Sequence, residues 1–281
     1  MDYNTNIIEV SGKNLATFFQ NIITNDINLL NDKKSIYTAL LTPQGKFLYD
    51  FIILKIKEKL LIEINKNYTE DLILELKKYD LRKNLVFNNK SSFKSYVFLL
   101  KNLDAFKQME LSKFVKSSKE ECIIFRDPRK ENYLIRVLTT NKNEEYFDKN
   151  FSKLNINEIE KERIKLCIPS SELDMEKNKS FILNYGFENI NAICFKKGCY
   201  IGQENTARMK YRGNIKYGLK TLKLISGSFP PLNSQIAVNG KKAGTIKSRR
   251  ESFSLALLRS DLIYQNDKVV SFDENFKAVI F

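Results

Sequence analysis

Lys197-Gly198-Cys199-Tyr200-Ile201-Gly202-Gln203-Glu204 is the stretch on which the reading of this 281-residue chain turns. The apolar run Ala192-Ile193-Cys194-Phe195 ends at a Lys196-Lys197-Gly198 turn. From Ile201 to Lys210 the residues permit a helix, with Glu204 and Arg208 ordered for an i,i+4 ion pair. Cys199 is thereby expected at a helix entrance, where free amides and the positive end of the helix dipole favour thiolate, and Lys196 and Lys197 push the same way. Gly198 and Gly202 flank the sulfur with little bulk, so a ligand or partner can approach. Cys199 reads as a reactive thiol. Cys194, inside the apolar run, reads as a small buried hydrophobe, as do Cys122 and Cys167. For Gln203, Glu204 and Arg208 a ligand role and a solvated helix face both stand open.

Working outward, composition removes several classes of chemistry. The chain contains no His, which excludes imidazole triads, His-bearing zinc sites and histidine pH sensing. Hydrophobic residues at 43% and charged residues at 28% are those of a globular protein able to bury cores. At this length a single core usually divides, so two or three domains are expected. Apolar stretches such as Phe51-Ile52-Ile53-Leu54 are cut by lysines well short of the ~18 residues that cross a bilayer, and no membrane partner is expected. Met1-Asp2-Tyr3-Asn4 lacks the order of a signal peptide and the Arg-rich character of a transit peptide. Four cysteines without a CxxC pair suit a reducing compartment, and a cytoplasmic location is expected. Lys and Arg number 47 against 33 Asp and Glu, a formal charge of +14. The lysines are dispersed among acids, which favours compositional drift over a nucleic-acid surface, although a field of this sign suits a polyanionic small molecule. The cations and aromatic of Arg208-Met209-Lys210-Tyr211-Arg212 suggest RNA association, but a solvated helix end is the preferred reading and no direct nucleic-acid partner is expected.

Periodicity indicates an α+β chain. Leu15 to Ile23 has helical spacing, with Ser11 available as N-cap. Ile36 to Leu41 and Phe47 to Lys57 read as a hairpin across Thr42-Pro43-Gln44-Gly45-Lys46. Leu60 to Ile64 adds a strand, Glu70 to Tyr79 a helix capped by Thr69, and Val86-Phe87 and Tyr96 to Leu100 return to strand. Strands are expected at Cys122 to Phe125 and Tyr133 to Val137, and a polar helix around Glu144 to Leu154. After Tyr217, short strands (Leu219 to Ile225, Ile236 to Val238, Gly244 to Lys247, Phe253 to Leu258, Val269 to Phe272) suit a small β-barrel, with Asn239-Gly240 as a tight hairpin turn.

The run Lys197 to Glu204 resembles the signature of the YgfZ-type folate-binding proteins, relatives of the aminomethyltransferase (T-protein) of the glycine cleavage system. Weaker matches follow in order: Thr24-Asn25-Asp26, Leu40 to Asp50 across the glycine turn, Lys77 to Arg82, Asp127-Pro128-Arg129, Ile168-Pro169 and Gly244 to Ser248. The resemblance implies a three-domain ring of the T-protein type around a channel for tetrahydrofolate. Residues 1–215 would form two interleaved α+β folate-binding domains and residues 216–281 a C-terminal β-barrel. It implies a factor for assembly, maturation or repair of iron-sulfur proteins, including radical enzymes that modify tRNA, with iron-sulfur proteins or cluster carriers as partners.

Site assignments follow from the same resemblance. Cys199 is the key residue, as nucleophile, redox thiol or transient cluster ligand. Lys197, Gly198, Tyr200, Gln203, Glu204 and Arg208 are expected near the folate, and no resident metal is expected. Tyr49 and Asp50 stand where the aminomethyltransferases carry two adjacent acids, and Asp50 matches the catalytic one, so a folate-dependent aminomethyltransferase is the alternative. Sustained turnover is not expected: Arg163 is not followed by the pterin-binding Glu of those enzymes, Asn184 falls where relatives often carry an acid, and Cys167 where Gly is usual.

Overall fold

The computed structural model describes residues 4–31, 34–99, 114–116, 121–140, 155–213, 215–263, 269–272 and 276–281. The chain divides into two compact units, Met1–Leu40 with Tyr49–Ile156 and Ile190–Ile201 in one, and Leu41–Leu48 with Asn157–Asn189 and Gly202–Phe281 in the other. Strands dominate both.

Among the described residues, strands β1 (Thr5–Gly12), β2 (Ile36–Leu41), β3 (Phe47–Ile56), β4 (Lys59–Asn65) and β5 (Leu85–Asn89) form one sheet in the order β2-β3-β4-β1-β5. Its register aligns Ile53, Ile62 and Ile8 across three strands, and each is fully buried. Glu63, one position along, points to the opposite face, because neighbouring strand residues alternate faces. A carboxylate is carried there inside an apolar strand, and its partners define part of the site below. Helix α1 (Leu15–Ile22) buries Phe19 and Ile22. Helix α2 (Thr69–Tyr79) buries Leu72, Ile73 and Leu76, with Glu70 and Asp71 in its first turn and Lys77 and Lys78 in its last, matched to the helix dipole. A second sheet of this unit orders β6 (Lys94–Leu99), β9 (Leu134–Thr139), β8 (Glu121–Arg126) and β7 (Phe114–Lys116) as β6-β9-β8-β7, around a core of Tyr96, Phe98, Ile124, Ile135 and Val137.

The other unit holds helix α3 (Ile156–Lys165, all but its first residue), helix α4 (Gln203–Tyr211) and a sheet in the order β11-β12-β13-β10-β15-β14. Its strands are β10 (Tyr217–Gly227), β11 (Gln235–Val238), β12 (Lys241–Arg250), β13 (Phe253–Arg259), β14 (Val269–Phe272) and β15 (Phe276–Ile280), with a short helix α5 (Ser260–Ile263) after β13. The end strands β11 and β14 approach each other, so the sheet nearly closes into a barrel. Phe276, Ala278 and Ile280 alternate inward and join Leu222, Ile246, Leu258 and Phe272 in its core. Asn239 and Gly240 both have positive φ, 53° and 69°, the geometry of a tight two-residue hairpin turn between Val238 and Lys241. Below the barrel, Arg163 of α3 donates to Asp174 at 3.0 Å, and Asp174 accepts from the backbone N–H of Ser248 at 2.6 Å.

Several expectations change at element ends. Ser11 lies in β1, and helix α1 starts from Asn14 in a left-handed conformation without a side-chain cap. Thr69 is the first residue of α2 rather than its cap. Strands β1, β7 and β15 and helices α3 and α5 were not anticipated. The polar helix expected around Glu144 to Leu154 lies outside the described residues.

Candidate functional site

The carbonyl groups of a helix's last turn lack intrahelical partners. At the end of α1 a side chain from far along the chain fills that need: Lys197 Nζ donates to the carbonyl oxygens of Gln20 at 2.7 Å, Ile23 at 2.7 Å and Asn25 at 2.9 Å. An ammonium carries three protons, so these three bonds use all of them. Burial pushes Lys197 down to about 8, against the charge of Asp26, which pulls it up. Four residues on, the backbone N–H of Ile201 donates to the carbonyl of Asn21.

The segment before Lys197 is stitched to the same stretch. Cys194 N donates to the carbonyl of Thr24 at 3.1 Å, and Thr24 Oγ1 donates to the carbonyl of Ala192 at 2.7 Å. Asn25 Nδ2 donates both to the Asn191 carbonyl at 2.7 Å and to the Tyr37 carbonyl at 2.8 Å. Residues 198–200 therefore form an arch between two fastened feet. Tyr200 is buried under it, its ring centroid 5.0 Å from Lys197 Nζ. Cys199 is exposed at the crown, and a Cβ built on Gly198 would meet nothing within 4 Å. Cys122, Cys167 and Cys194 are half-buried, and Cys122 packs against the core of Tyr96, Phe98, Ile124, Ile135 and Val137.

The motif's second glycine has a separate cause. Gly202 has φ 82° and caps α4 from the left-handed region, and a Cβ there would lie 2.6 Å from the Thr42 carbonyl oxygen. Gly45, at φ 75°, ends the Thr42 to Lys46 turn, and its Cα would lie 3.1 Å from that same Cβ. Two glycine backbones thus pack directly, and Asn205 Nδ2 closes the contact on the Gln44 carbonyl at 3.0 Å. Because this left-handed turn delays the helix until Gln203, Cys199 stands ahead of the first turn, not at the helix entrance expected from sequence.

A buried charge relay runs beneath the other expected residue. Tyr37 donates its phenol to Asp50 Oδ2 at 2.5 Å. Burial first, and then the negative charge of Asp50, push Tyr37 well above its ordinary value, so it remains a donor. Its ring lies under the Arg129 guanidinium, 5.4 Å from centroid to carbon. Arg129 grips Asp127 through Nε at 2.9 Å and Nη2 at 2.6 Å. Arg136 Nε holds Asp127 Oδ2 at 2.7 Å, and Arg136 Nη1 holds Glu63 Oε1 at 2.5 Å. Burial alone would raise Asp127, but the two guanidiniums outweigh it and hold the carboxyl well below the usual carboxylate range.

The residues singled out in the sequence separate into distinct surroundings. Lys197, Gly198, Cys199, Tyr200 and Asp50 fall in one unit, and Gln203, Glu204 and Arg208 in the other. Lys197 has no ammonium proton left for a ligand. Glu204 and Arg208 make the expected i,i+4 pair at 2.7 Å with both side chains largely exposed. Tyr49 is buried, edge-on to Tyr68. Asn25, Tyr37, Arg129 and Asn191 were assigned no role by sequence reasoning. The signal lay in Thr24-Asn25-Asp26 and Asp127-Pro128-Arg129, which the fold joins: Asn191 Nδ2 donates to the Pro128 carbonyl at 3.1 Å, and Asn191 accepts from Asn25. No group of three or more Cys, Asp or Glu that could hold a metal ion occurs among the described residues, and no described helix is long and apolar enough to cross a membrane.

The crystal structure of the glycine cleavage system aminomethyltransferase T from Bartonella henselae superposes with a TM-score of 0.74 at 12% identity, covering 99% of this chain and 82% of that one. The fold is that of the aminomethyltransferase T-protein. No family model matches the chain. By sequence it is similar to the mitochondrial iron-sulfur cluster assembly factor IBA57 homolog of Dictyostelium discoideum, 25% identical over 75% of this chain and 58% of that protein. IBA57 of Mus musculus is 25% identical over 92% of this chain and 76% of that protein, and the Neurospora crassa homolog 28% identical over 75% and 50%. The chain thus spans between half and about three quarters of these relatives. All three are named as mitochondrial proteins, and this overturns the cytoplasmic location expected from cysteine usage and from the N-terminal residues.

Proposed function

We propose that this chain is a tetrahydrofolate-binding factor that supports assembly, maturation or repair of iron-sulfur proteins, with Cys199 as its exchange thiol. The observation that carries the reading is the arch: an exposed sulfur between Lys197 and Ile201, both fastened to the end of α1. Fixed feet and an open crown let the sulfur meet an incoming partner without reorganising the backbone. An iron-sulfur cluster takes about four protein ligands. A cluster passing over Cys199 therefore draws its remaining ligands from the carrier or client that brings or receives it. The names of the relatives support this role, and a place in the mitochondrial machinery belongs to the same proposal.

Asp50 suits the folate. Its half-buried carboxylate, held at Oδ2 by Tyr37, accepts a hydrogen bond from an N–H of the ligand. Tetrahydrofolate, when bound, supplies nitrogens that can carry a one-carbon unit. The +14 charge favours approach of an anionic folate tail. The finer points of the reading are a YgfZ-type protein serving clients that include tRNA-modifying radical enzymes, a three-domain ring, two interleaved folate-binding domains over 1–215 and a barrel over 216–281. Calorimetric titration with tetrahydrofolate tests it: binding by the wild type, kept in Cys199→Ala and lost in Asp50→Asn, is expected. No heat of binding with the wild type contradicts the folate assignment.

The short Tyr37–Asp50 hydrogen bond favours a second reading, a folate-dependent aminomethyltransferase in which Asp50 accepts or orients a proton. Sustained formation of methylene-tetrahydrofolate from an aminomethylated carrier, lost in Asp50→Asn, is what this reading requires.

A further inference from the structure

The relay beneath Asp50 raises the question of what it is for. It begins at a half-buried carboxylate and runs inward through Tyr37, Arg129, Asp127 and Arg136 to Glu63. Its inner end is tied to two further strands, with Ser95 Oγ donating to Glu63 Oε1 at 2.6 Å and Thr5 Oγ1 at 3.0 Å. The two buried arginines and two buried carboxylates cancel in charge. Such a group is no more stabilising than well-packed apolar side chains of the same volume. Stability alone does not explain it.

Geometry offers a reason. Tyr37 is 2% exposed, and Arg129 lies over its ring, so the phenol cannot swing away from Asp50. Arg129 is fixed in turn, because its forked guanidinium grips Asp127 through both Nε and Nη2. Asp127 is set by Arg136, and Arg136 by Glu63 of the central strand β4. The placement of Asp50 Oδ2 is thereby tied to Glu63 on the central strand β4 and not to β3 alone.

Resting on the folate reading of Asp50, we propose that Tyr37 and Arg129 are positioning residues for that carboxylate: Arg129 clamps the phenol, and the phenol fixes Asp50 in one rotamer as a hydrogen-bond acceptor. Among the described residues, the charged groups that act on the Tyr37 phenol include Asp50 from β3, and Arg129 and Asp127 from the turn after β8. The ligand group that meets Asp50 is then a donor, an N–H or a protonated nitrogen. A ligand offering only acceptors is rejected there.

The test uses the full chain with carboxyl-13C-labelled aspartate, the Asp50 signal being assigned by its loss in Asp50→Asn. Removing the phenol in Tyr37→Phe, which keeps the ring under Arg129, takes away a bond to the charged form and is expected to raise the Asp50 titration midpoint by about one unit. Incorporating 3-fluorotyrosine at position 37, a more acidic donor, is expected to lower it. Opposite shifts of one signal are not produced by a general loosening of the fold. A midpoint that is unchanged in both proteins overturns the proposal. Tetrahydrofolate titration of the same samples keeps the two claims apart: a wild type that does not bind folate defeats the functional reading, while the opposite shifts still establish the positioning.

Discussion

The ammonium of Lys197 lies 2.7 Å from the carbonyl oxygen of Ile23, a residue 174 positions earlier in the chain. This bond and its companions to Gln20 and Asn25 turn a surface loop into an arch, and they also give the lysine a measurable signature.

Replacing Lys197 by Met removes three charge-assisted bonds and leaves buried carbonyls without donors, for an expected loss of about 3 kcal/mol in urea unfolding. The pH dependence differs as well. Burial lowers Lys197 to about 8, so between pH 8 and its ordinary value near 10.5 the folded chain holds fewer protons than the unfolded one. The contribution of this lysine to stability therefore rises with pH across that window, and the rise is absent from Lys197→Met.

Asp127 titrates in the other direction. Its carboxyl is depressed by Arg129 and Arg136 despite burial, so its contribution is complete above the unfolded value near 4. That contribution is lost as pH falls towards the folded value. Asp127→Asn leaves two buried guanidiniums without their shared anion and is expected to cost about 3–5 kcal/mol at neutral pH. Acid unfolding of the variant, followed by circular dichroism, is expected to show a shallower loss of stability below pH 4 than the wild type shows.

Gly202→Ala places a methyl group 2.6 Å from the Thr42 carbonyl oxygen at φ 82°. A cost of about 2 kcal/mol or more is expected, read as a lowered thermal midpoint. Gly198→Ala, whose Cβ meets nothing within 4 Å, is expected to leave that midpoint close to wild type.

How much of this was legible beforehand depends on the range of the interaction. The Asn239-Gly240 hairpin, the Glu204–Arg208 pair and most strands of the barrel were readable because their signals are local: a turn dipeptide, an i,i+4 spacing, an alternation of two. Strand β1 went unrecognised because Asn6 and Glu9 interrupt its apolar pattern, and β15 because it is only five residues long and Lys277 breaks its apolar run. The role of Lys197 was misjudged for a different reason. Sequence showed a cation two residues from a thiol, whereas its partners are backbone carbonyls of a helix end that no side-chain pattern announces. Tyr37 and Arg129 were hidden likewise, since their meeting is a product of sheet topology. The helix entrance expected at Cys199 failed on Gly202, whose contact with Thr42 forces a left-handed turn first.

The four cysteines are expected to differ in reaction with iodoacetamide under native conditions. Cys199, exposed on the arch, is expected to be alkylated first, ahead of the half-buried Cys122, Cys167 and Cys194. Mass spectrometry of the digested protein over time measures the order, and equal rates at all four positions would contradict the presented-thiol account.

The most direct measurement of the proposed role is rescue in cells that lack their own IBA57, with activity of iron-sulfur enzymes as the readout. The wild-type chain is expected to restore that activity, and Cys199→Ala, folded and equally stable, is expected not to. Full restoration by Cys199→Ala would show that the exposed sulfur is not what the protein works with.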